Sequence, residues 1–414
     1  MKQDSPLLFL IAGEASGDQL GAGLMSALAE NYGPSIRFAG VGGDEMMAQG
    51  LNSHFPMSEL SVMGLVEILP RIPKLLGRIK DTAKLVHELK PNVIVTIDSP
   101  GFTFRLAKRL KNADIPIIHY VAPTVWAWKA GRARKMTALF DHLMVLLPFE
   151  TKYFEDVGLR CTFVGHPGAV ARAGDSREQF LKRHNIKKKI LLGVFPGSRK
   201  SEVRRMLPLY GEVVRLLYAR YPSLHLVLVT VPALRKDVEI GIRNWQGPVT
   251  LLDSTTDRWG AYKACDVALA TSGTVTTELA AANTPMVVAY RMAPITMAIA
   301  RRLVKVPYVT LINLVLERNV IPEFIQNACK PAILADAVSK LLDDETAKAV
   351  QRSELRIGVG LLRGGSANPW PAVFWTSRVN SRSISTGWSS PTIRTTPGRA
   401  GSWSATGSAP NSPR

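Results

Sequence analysis

Short apolar runs dominated by Val, Ile and Leu, with no polar alternation, recur along this chain and are separated by stretches of helical character. In the first half they fall at Leu7–Ala12, Arg37–Val41, Val93–Asp98, Ile115–Val121 and His142–Leu147. Helical stretches such as Leu20–Glu30 and Phe102–Leu110 lie between them. The pattern restarts at Lys189–Phe195 and continues through His225–Val231, Val249–Leu252, Val267–Ala270 and Met286–Tyr290. Continuous apolar strands of this kind belong to parallel sheets covered on both faces. Strand–helix–strand repeated in this way predicts an α/β chain with two doubly wound sheets.

A chain of 414 residues, 46% of them hydrophobic, is long enough for two cores. The reading divides it into a first domain at 1–168, a linker region at 169–188, a second domain at 189–357 and a basic tail at 358–414. The linker is placed where Ala-Arg-Ala-Gly-Asp-Ser-Arg and a lysine cluster interrupt the apolar rhythm. Two such sheets facing each other leave a cleft at the carboxyl ends of their strands, where open α/β sheets bind ligands.

Gly358–Arg414 contains no Asp, Glu or Lys, but six arginines and four of the chain's eight tryptophans. The segment reads either as a disordered basic tail or as the product of a shifted frame, and the tryptophans favour the second. On this reading a chain ending near Arg356 behaves like the full chain. Cys161, Cys265 and Cys329 show no paired spacing, which fits a reducing compartment. The first apolar run is short and ends at Gly13, so no signal peptide is read, and the chain is expected in the cytoplasm. No apolar stretch reaches the roughly 18 residues that span a bilayer. A net charge of +19 calls for an anionic partner. Without zinc fingers or RNA-binding strand signatures, a membrane surface or a phosphorylated substrate is preferred to nucleic acid.

Several strand ends carry chemistry. Gly13-Glu14-Ala15-Ser16-Gly17-Asp18 joins a strand to a helix, and its glycines and free amides suit an anion or a sugar oxygen; a helix cap by Ser16 or Asp18 is the simpler alternative. Asp98, ending another strand before Ser99-Pro100-Gly101, can take a proton from an attacking hydroxyl or cap the next helix, and position alone does not separate the two. Trp126 and Trp128 can form a wall against a sugar or acyl chain. Gly197, Ser198 and Arg199, between a strand and a helix start, form the best phosphate-binding candidate. Ser272, Gly273 and Thr274 repeat that geometry, and Glu278 one turn later can hold ribose hydroxyls. No metal is expected: there is no HExxH and no histidine cluster, and His166 reads as a linker residue. Met63–Lys80 mixes large apolar residues with Arg and Lys and is assigned to a membrane interface, whereas Ile295–Val306 stays open between that and a core-facing helix.

In these motifs the chain resembles the lipid-A-disaccharide synthase family, from about Leu7 to about Arg356. The resemblance rests on GEASGD, SVMGLVEIL, IDSPGF, HYVAPTVWAW, LPFE, FVGHP, PGSR with Glu202, SGT with Glu278, VVAYRM and RLVKVPYVTLINLV, all in the family's order. It implies a GT-B-type pair of Rossmann-like domains and an inverting transfer of diacylglucosamine from UDP to the 6-hydroxyl of a diacylglucosamine 1-phosphate. It implies Asp98 as general base. Arg199, Ser198, Gly197, Ser272, Gly273, Thr274, Glu278 and Asn313 would form the donor site. Glu14, Ser16, Gly17, Asp18, Trp126 and Trp128 would lie on the acceptor side. Val66, Ile68, Leu69, Ile72, Leu75 and Leu76 would face the inner membrane's anionic cytoplasmic surface. No cofactor is implied. The divergent C-terminus departs from the helices that brace the first domain and join a homodimer in this family. The alternatives are another GT-B enzyme using UDP-N-acetylglucosamine, such as an epimerase; an inactive lipid-binding remnant; and an NAD-dependent oxidoreductase, which the missing GxGxxG disfavours.

Overall fold

The structure, a computed structural model, describes residues 5–33, 35–60, 72–126, 131–187, 190–293, 297 and 306–363. The first sheet has seven strands in the order β3-β2-β1-β4-β5-β6-β7, all parallel. They are β1 (Leu7–Ala12), β2 (Arg37–Val41), β3 (Asn52–Ser53), β4 (Val93–Ile97), β5 (Ile117–Tyr120), β6 (His142–Val145) and β7 (Cys161–Phe163). The second sheet has six, in the order β10-β9-β8-β11-β12-β13, again parallel. These are β8 (Ile190–Phe195), β9 (Leu224–Thr230), β10 (Val249–Asp253), β11 (Val267–Thr271), β12 (Met286–Tyr290) and β13 (Glu323–Ile325). The GT-B architecture expected from the sequence is present.

The apolar runs became strands because both faces of each sheet are covered by helices. Phe9 and Ile11 enter one core with Ile79, Val86 and Leu106, while Leu8 and Leu10 face the other with Leu24 and Met25. The second sheet repeats this, with Val194 and Leu228 on one face and Val227 and Ala268 on the opposite one. Strand order reverses between β1 and β4 and again between β8 and β11. Ligands of doubly wound sheets bind at such reversals.

Two expectations change. The segment 169–188 is more than a linker: Arg177–Arg183 is a helix opened by a Ser176–Gln179 capping box, and its Phe180 is wholly buried in the second core. The helix Glu345–Arg363 runs through the expected tail boundary, with Val359 5% exposed and Leu362 fully buried. The His166 amide donates to the Leu362 carbonyl at 2.8 Å, and Arg363 Nε donates to the Ala169 carbonyl at 2.9 Å. Ordered structure therefore reaches Arg363, and ending the chain at Arg356 would remove core. The remaining tail, 364–414, lies outside the described residues.

Among the described residues no helix is long and apolar enough to cross a membrane, and no group of three or more His, Cys, Asp or Glu is placed to hold a metal.

Candidate active site

Neighbouring strands deliver the key groups. Ala12 of β1 pairs with Ile97 of β4, so the loops that follow, carrying Glu14 and Asp98, emerge side by side. Asp98 and Ser99 both adopt left-handed backbone, with φ of 48° and 46°. The turn is held by the Asp98 amide donating to the Tyr120 carbonyl and by the Thr103 hydroxyl donating to the Asp98 carbonyl, both at 2.9 Å. Gly13 lets the other loop close on it: a Cβ there would stand 2.8 Å from Ser99 Cβ. The helix Pro100–Leu110 that follows has no side-chain cap, which disfavours capping as Asp98's role. Burial pushes the Asp98 carboxyl above its ordinary range, and the Ser99 amide partly opposes the rise.

The second sheet repeats the arrangement, with Phe195 of β8 paired to Ala270 of β11. After β8, Gly197 turns at φ 111° with its Cα against Glu202; a Cβ would come within 2.7 Å of that carboxylate. Glu202 takes the amides of Ser198 and Arg199 at 3.2 Å each and the Arg199 Nη1 at 2.9 Å. It also accepts from the Tyr290 hydroxyl at 3.4 Å. The amides of Ser198 and Arg199, expected to meet a phosphate, are thus occupied by Glu202. Arg199 remains exposed, with its guanidinium oriented by that pairing. After β11, Gly273 and Thr274 lie exposed at the start of the helix Thr274–Ala281, which has no side-chain cap. Its amino end favours negative charge. Ser272 Oγ donates to the Val309 carbonyl at 3.0 Å.

Glu14 links the two sets. Burial raises its carboxyl above the usual range, neighbouring Asp98 adds to the rise, and Arg199 from the other sheet opposes it.

Beside the Asp98 loop lies an apolar cavity of about 580 Å³. Glu14, Ser99 and Arg105 line it together with Leu60, Ile72, Leu75, Leu76, Ile79 and Phe102. Ile72 and Leu76 are 39% and 53% exposed, whereas Leu75 packs on the first core. Val66, Ile68, Leu69 and Trp128 lie outside the described residues, as does most of Ile295–Val306.

Other expected site residues turn out to hold the fold. Asp18 is buried and accepts from the amides of Gly43 at 2.8 Å, Glu45 at 3.0 Å and Met46 at 3.1 Å, capping the helix Asp44–Ala48 rather than meeting a ligand. Gly17 is buried against the sheet, where an added Cβ would meet Ala12 and Ile97 at 3.5 Å, an ordinary contact, and of Ser16, Gly17 and Asp18 only Ser16 is exposed. Trp126 donates its indole N–H to Glu150 at 2.9 Å and meets Phe149 edge-on at 5.2 Å, which are the contacts of a packed tryptophan. Glu150, which also accepts the Leu146 and Leu147 amides, is pushed up to about 7 by burial.

Asn313 is fully buried, and its side chain is spent within the chain. Oδ1 accepts from Val320 and Ile321 amides at 3.0 and 2.9 Å; Nδ2 donates to the Ile321 carbonyl and Glu323 Oε1, both at 2.8 Å. Asn313→Ala strands two of those amides and should cost about 3 kcal/mol in denaturant unfolding. A loss below ~1 kcal/mol would show that these bonds contribute little to holding the segment.

The pairing of Glu202 with Arg199 was readable as a three-residue capping-box spacing. Arg258 and Tyr262 gave no such signal. They donate to the two oxygens of Glu278, Arg258 Nη2 to Oε1 at 3.1 Å and the Tyr262 hydroxyl to Oε2 at 3.0 Å.

Residues 8–359 match the family model described as lipid-A-disaccharide synthetase. The chain belongs to that family. It is 49% identical over 350 residues to the lipid-A-disaccharide synthase of Rhodospirillum centenum, covering 83% of this chain and 87% of that one. Among solved structures it is similar to the S. aureus MnaA–UDP co-structure, with a TM-score of 0.58 at 15% identity over 85% of this chain and 91% of the other. The calicheamicin glycosyltransferase CalG4 aligns with a TM-score of 0.56 at 15% identity over 92% and 99% of the two chains. At such identity these likenesses show the fold alone. The family's ordered match ends at 359, inside the helix that reaches Arg363.

Proposed function

We propose that this chain is an inverting glycosyltransferase with the activity its relatives are named for. It condenses UDP-2,3-diacylglucosamine with 2,3-diacylglucosamine 1-phosphate to give the disaccharide 1-phosphate and UDP. The observation that carries the reading is the cavity of about 580 Å³ beside the Asp98 loop, lined by Glu14, Ser99, Phe102 and Arg105. The opposing influence of Asp98 and Arg199 on the Glu14 carboxyl supports it. A base and a diphosphate anchor facing one cleft are what an inverting transfer needs.

In this mechanism Asp98 takes the proton of the acceptor's 6-hydroxyl as that oxygen attacks the anomeric carbon from the face opposite UDP. The glycosidic bond forms while the bond to the β-phosphate breaks and its electron pair leaves with UDP. Arg199 and the amino end of the helix Thr274–Ala281 offset the charge gathering on the diphosphate. Glu278 takes the ribose hydroxyls. The cavity between Phe102 and Ile72–Ile79 gives the acceptor's acyl chains an apolar berth beside the base. The half-exposed Ile72 and Leu76 extend that apolar surface outward, which supports work at the anionic cytoplasmic face of the inner membrane. A homodimer is part of the same proposal.

Incubating the full chain with both acylated substrates in detergent micelles should yield disaccharide 1-phosphate and UDP in equal amounts, read by mass spectrometry. UDP released without disaccharide would indicate a hydrolase, and an isomeric UDP-sugar with no net UDP release would indicate an epimerase. Lipid binding with no UDP release and no altered UDP-sugar would indicate a remnant. Any of these results overturns the proposal.

A further inference from the structure

The contacts around Glu278 go beyond holding a helix in place. Arg258 and Tyr262 sit four residues apart on the helix Arg258–Ala264, so both approach Glu278 from one face. The Arg258 guanidinium is tethered at its other end, where Nη1 donates to the Ser254 carbonyl at 3.3 Å. Tyr262 is 3% exposed, and its ring is wedged edge-on between Phe195 at 5.4 Å and Trp259 at 5.6 Å. Burial, and then the Glu278 charge, hold the phenol protonated, so its hydroxyl donates to the carboxylate. Neither donor can swing away without breaking other contacts.

An ionised carboxylate offers about four acceptor positions, two on each oxygen. Arg258 takes one on Oε1 and Tyr262 takes one on Oε2. Glu278 has no further hydrogen-bond partner among the described residues, so one position per oxygen is left. Two acceptors spaced across one carboxylate match the two hydroxyls of a vicinal diol. A ribose carries such a diol and a 2′-deoxyribose does not.

We propose that Arg258 and Tyr262 are positioning residues that aim the remaining edge of Glu278 at the ribose diol and so make the nucleotide site select ribonucleotides over 2′-deoxyribonucleotides. The inference rests on the donor-site reading of Glu278 above.

The test is calorimetric binding of UDP and of 2′-deoxy-UDP to the full chain, with Tyr262→Phe, Arg258→Lys and Glu278→Gln as variants. Wild type should prefer UDP by about 10- to 100-fold, the worth of one hydrogen bond to a charged acceptor. In Tyr262→Phe and Arg258→Lys the preference should fall to about threefold or less, through weaker UDP binding, with 2′-deoxy-UDP little changed. A merely structural role would weaken both nucleotides alike and leave the ratio intact, and that result overturns the inference while sparing the donor site. Unaltered UDP affinity in Glu278→Gln would instead remove the donor-site reading itself, and this inference with it. Thermal melts of each nucleotide-free variant establish that the compared chains are folded; a variant that is not is replaced in the comparison by the other.

Discussion

Asp98→Asn should lower disaccharide formation by about 10²- to 10⁴-fold while leaving UDP affinity within a factor of about two. The amide fills the same space but cannot accept the proton of the 6-hydroxyl. Asn is also the substitution the backbone tolerates, since the residue sits at φ 48°, a region Asn enters more readily than most residues. In the proposed mechanism UDP contacts the other sheet, so its binding should survive. The pH profile gives a second readout. Burial raises the Asp98 carboxyl, so the wild-type rate should fall with acid at a pH above the ordinary carboxylate range, as the base becomes protonated. In Asp98→Asn the residual rate should lose most of that acid limb. Activity within tenfold of wild type, with the limb unchanged, would remove Asp98 as the base.

Ending the chain at Arg356 should destabilise it severely, whereas ending it at Arg363 should not. The shorter chain loses Leu362, fully buried, and Val359, 5% exposed, both part of the second core. Deleting one buried leucine side chain costs about 2–5 kcal/mol. The His166 amide also loses its acceptor on Leu362, and the Ala169 carbonyl loses Arg363. His166 and Ala169 flank the crossing between the two sheets, so the final turns of this helix brace the junction. Together these losses amount to roughly 5 kcal/mol or more, on the order of 10 °C in Tm for a domain of this size. Removing 364–414 should move Tm by no more than about 2 °C. Equal melting of all three chains would show that the last two turns carry no stability. A fall on trimming at Arg363 would show that the divergent tail contributes to the fold.

Much of this architecture was written in local pattern. The runs at Leu7–Ala12, Arg37–Val41 and Met286–Tyr290 became strands with those bounds, because Val, Ile and Leu without alternation leave a parallel strand nothing to do but be covered on both sides. The strands that escaped notice, β3, β7 and β13, are two or three residues long at or near sheet edges, too short to carry a pattern. The loops holding Glu14, Asp98, Arg199 and Ser272–Thr274 were also readable, since turn residues after a strand mark where a doubly wound sheet presents its ligands.

Tertiary structure decided which polar residues remain available to a ligand. Asp18, Trp126 and Asn313 have the chemistry of site residues, yet each is consumed by a partner elsewhere: Asp18 by amides 25 to 28 positions away, Trp126 by Glu150, and Asn313 by the Val320–Glu323 segment. The sequence alone determined two parallel sheets and where their functional ends lie, because burial of apolar faces follows a short repeat along the chain. Only the folded chain decided that the loops of Glu14 and Asp98 emerge side by side and that Arg258 and Tyr262 grip Glu278. A buried polar atom must be satisfied by whatever group packing brings near, and no local spacing records which group that is.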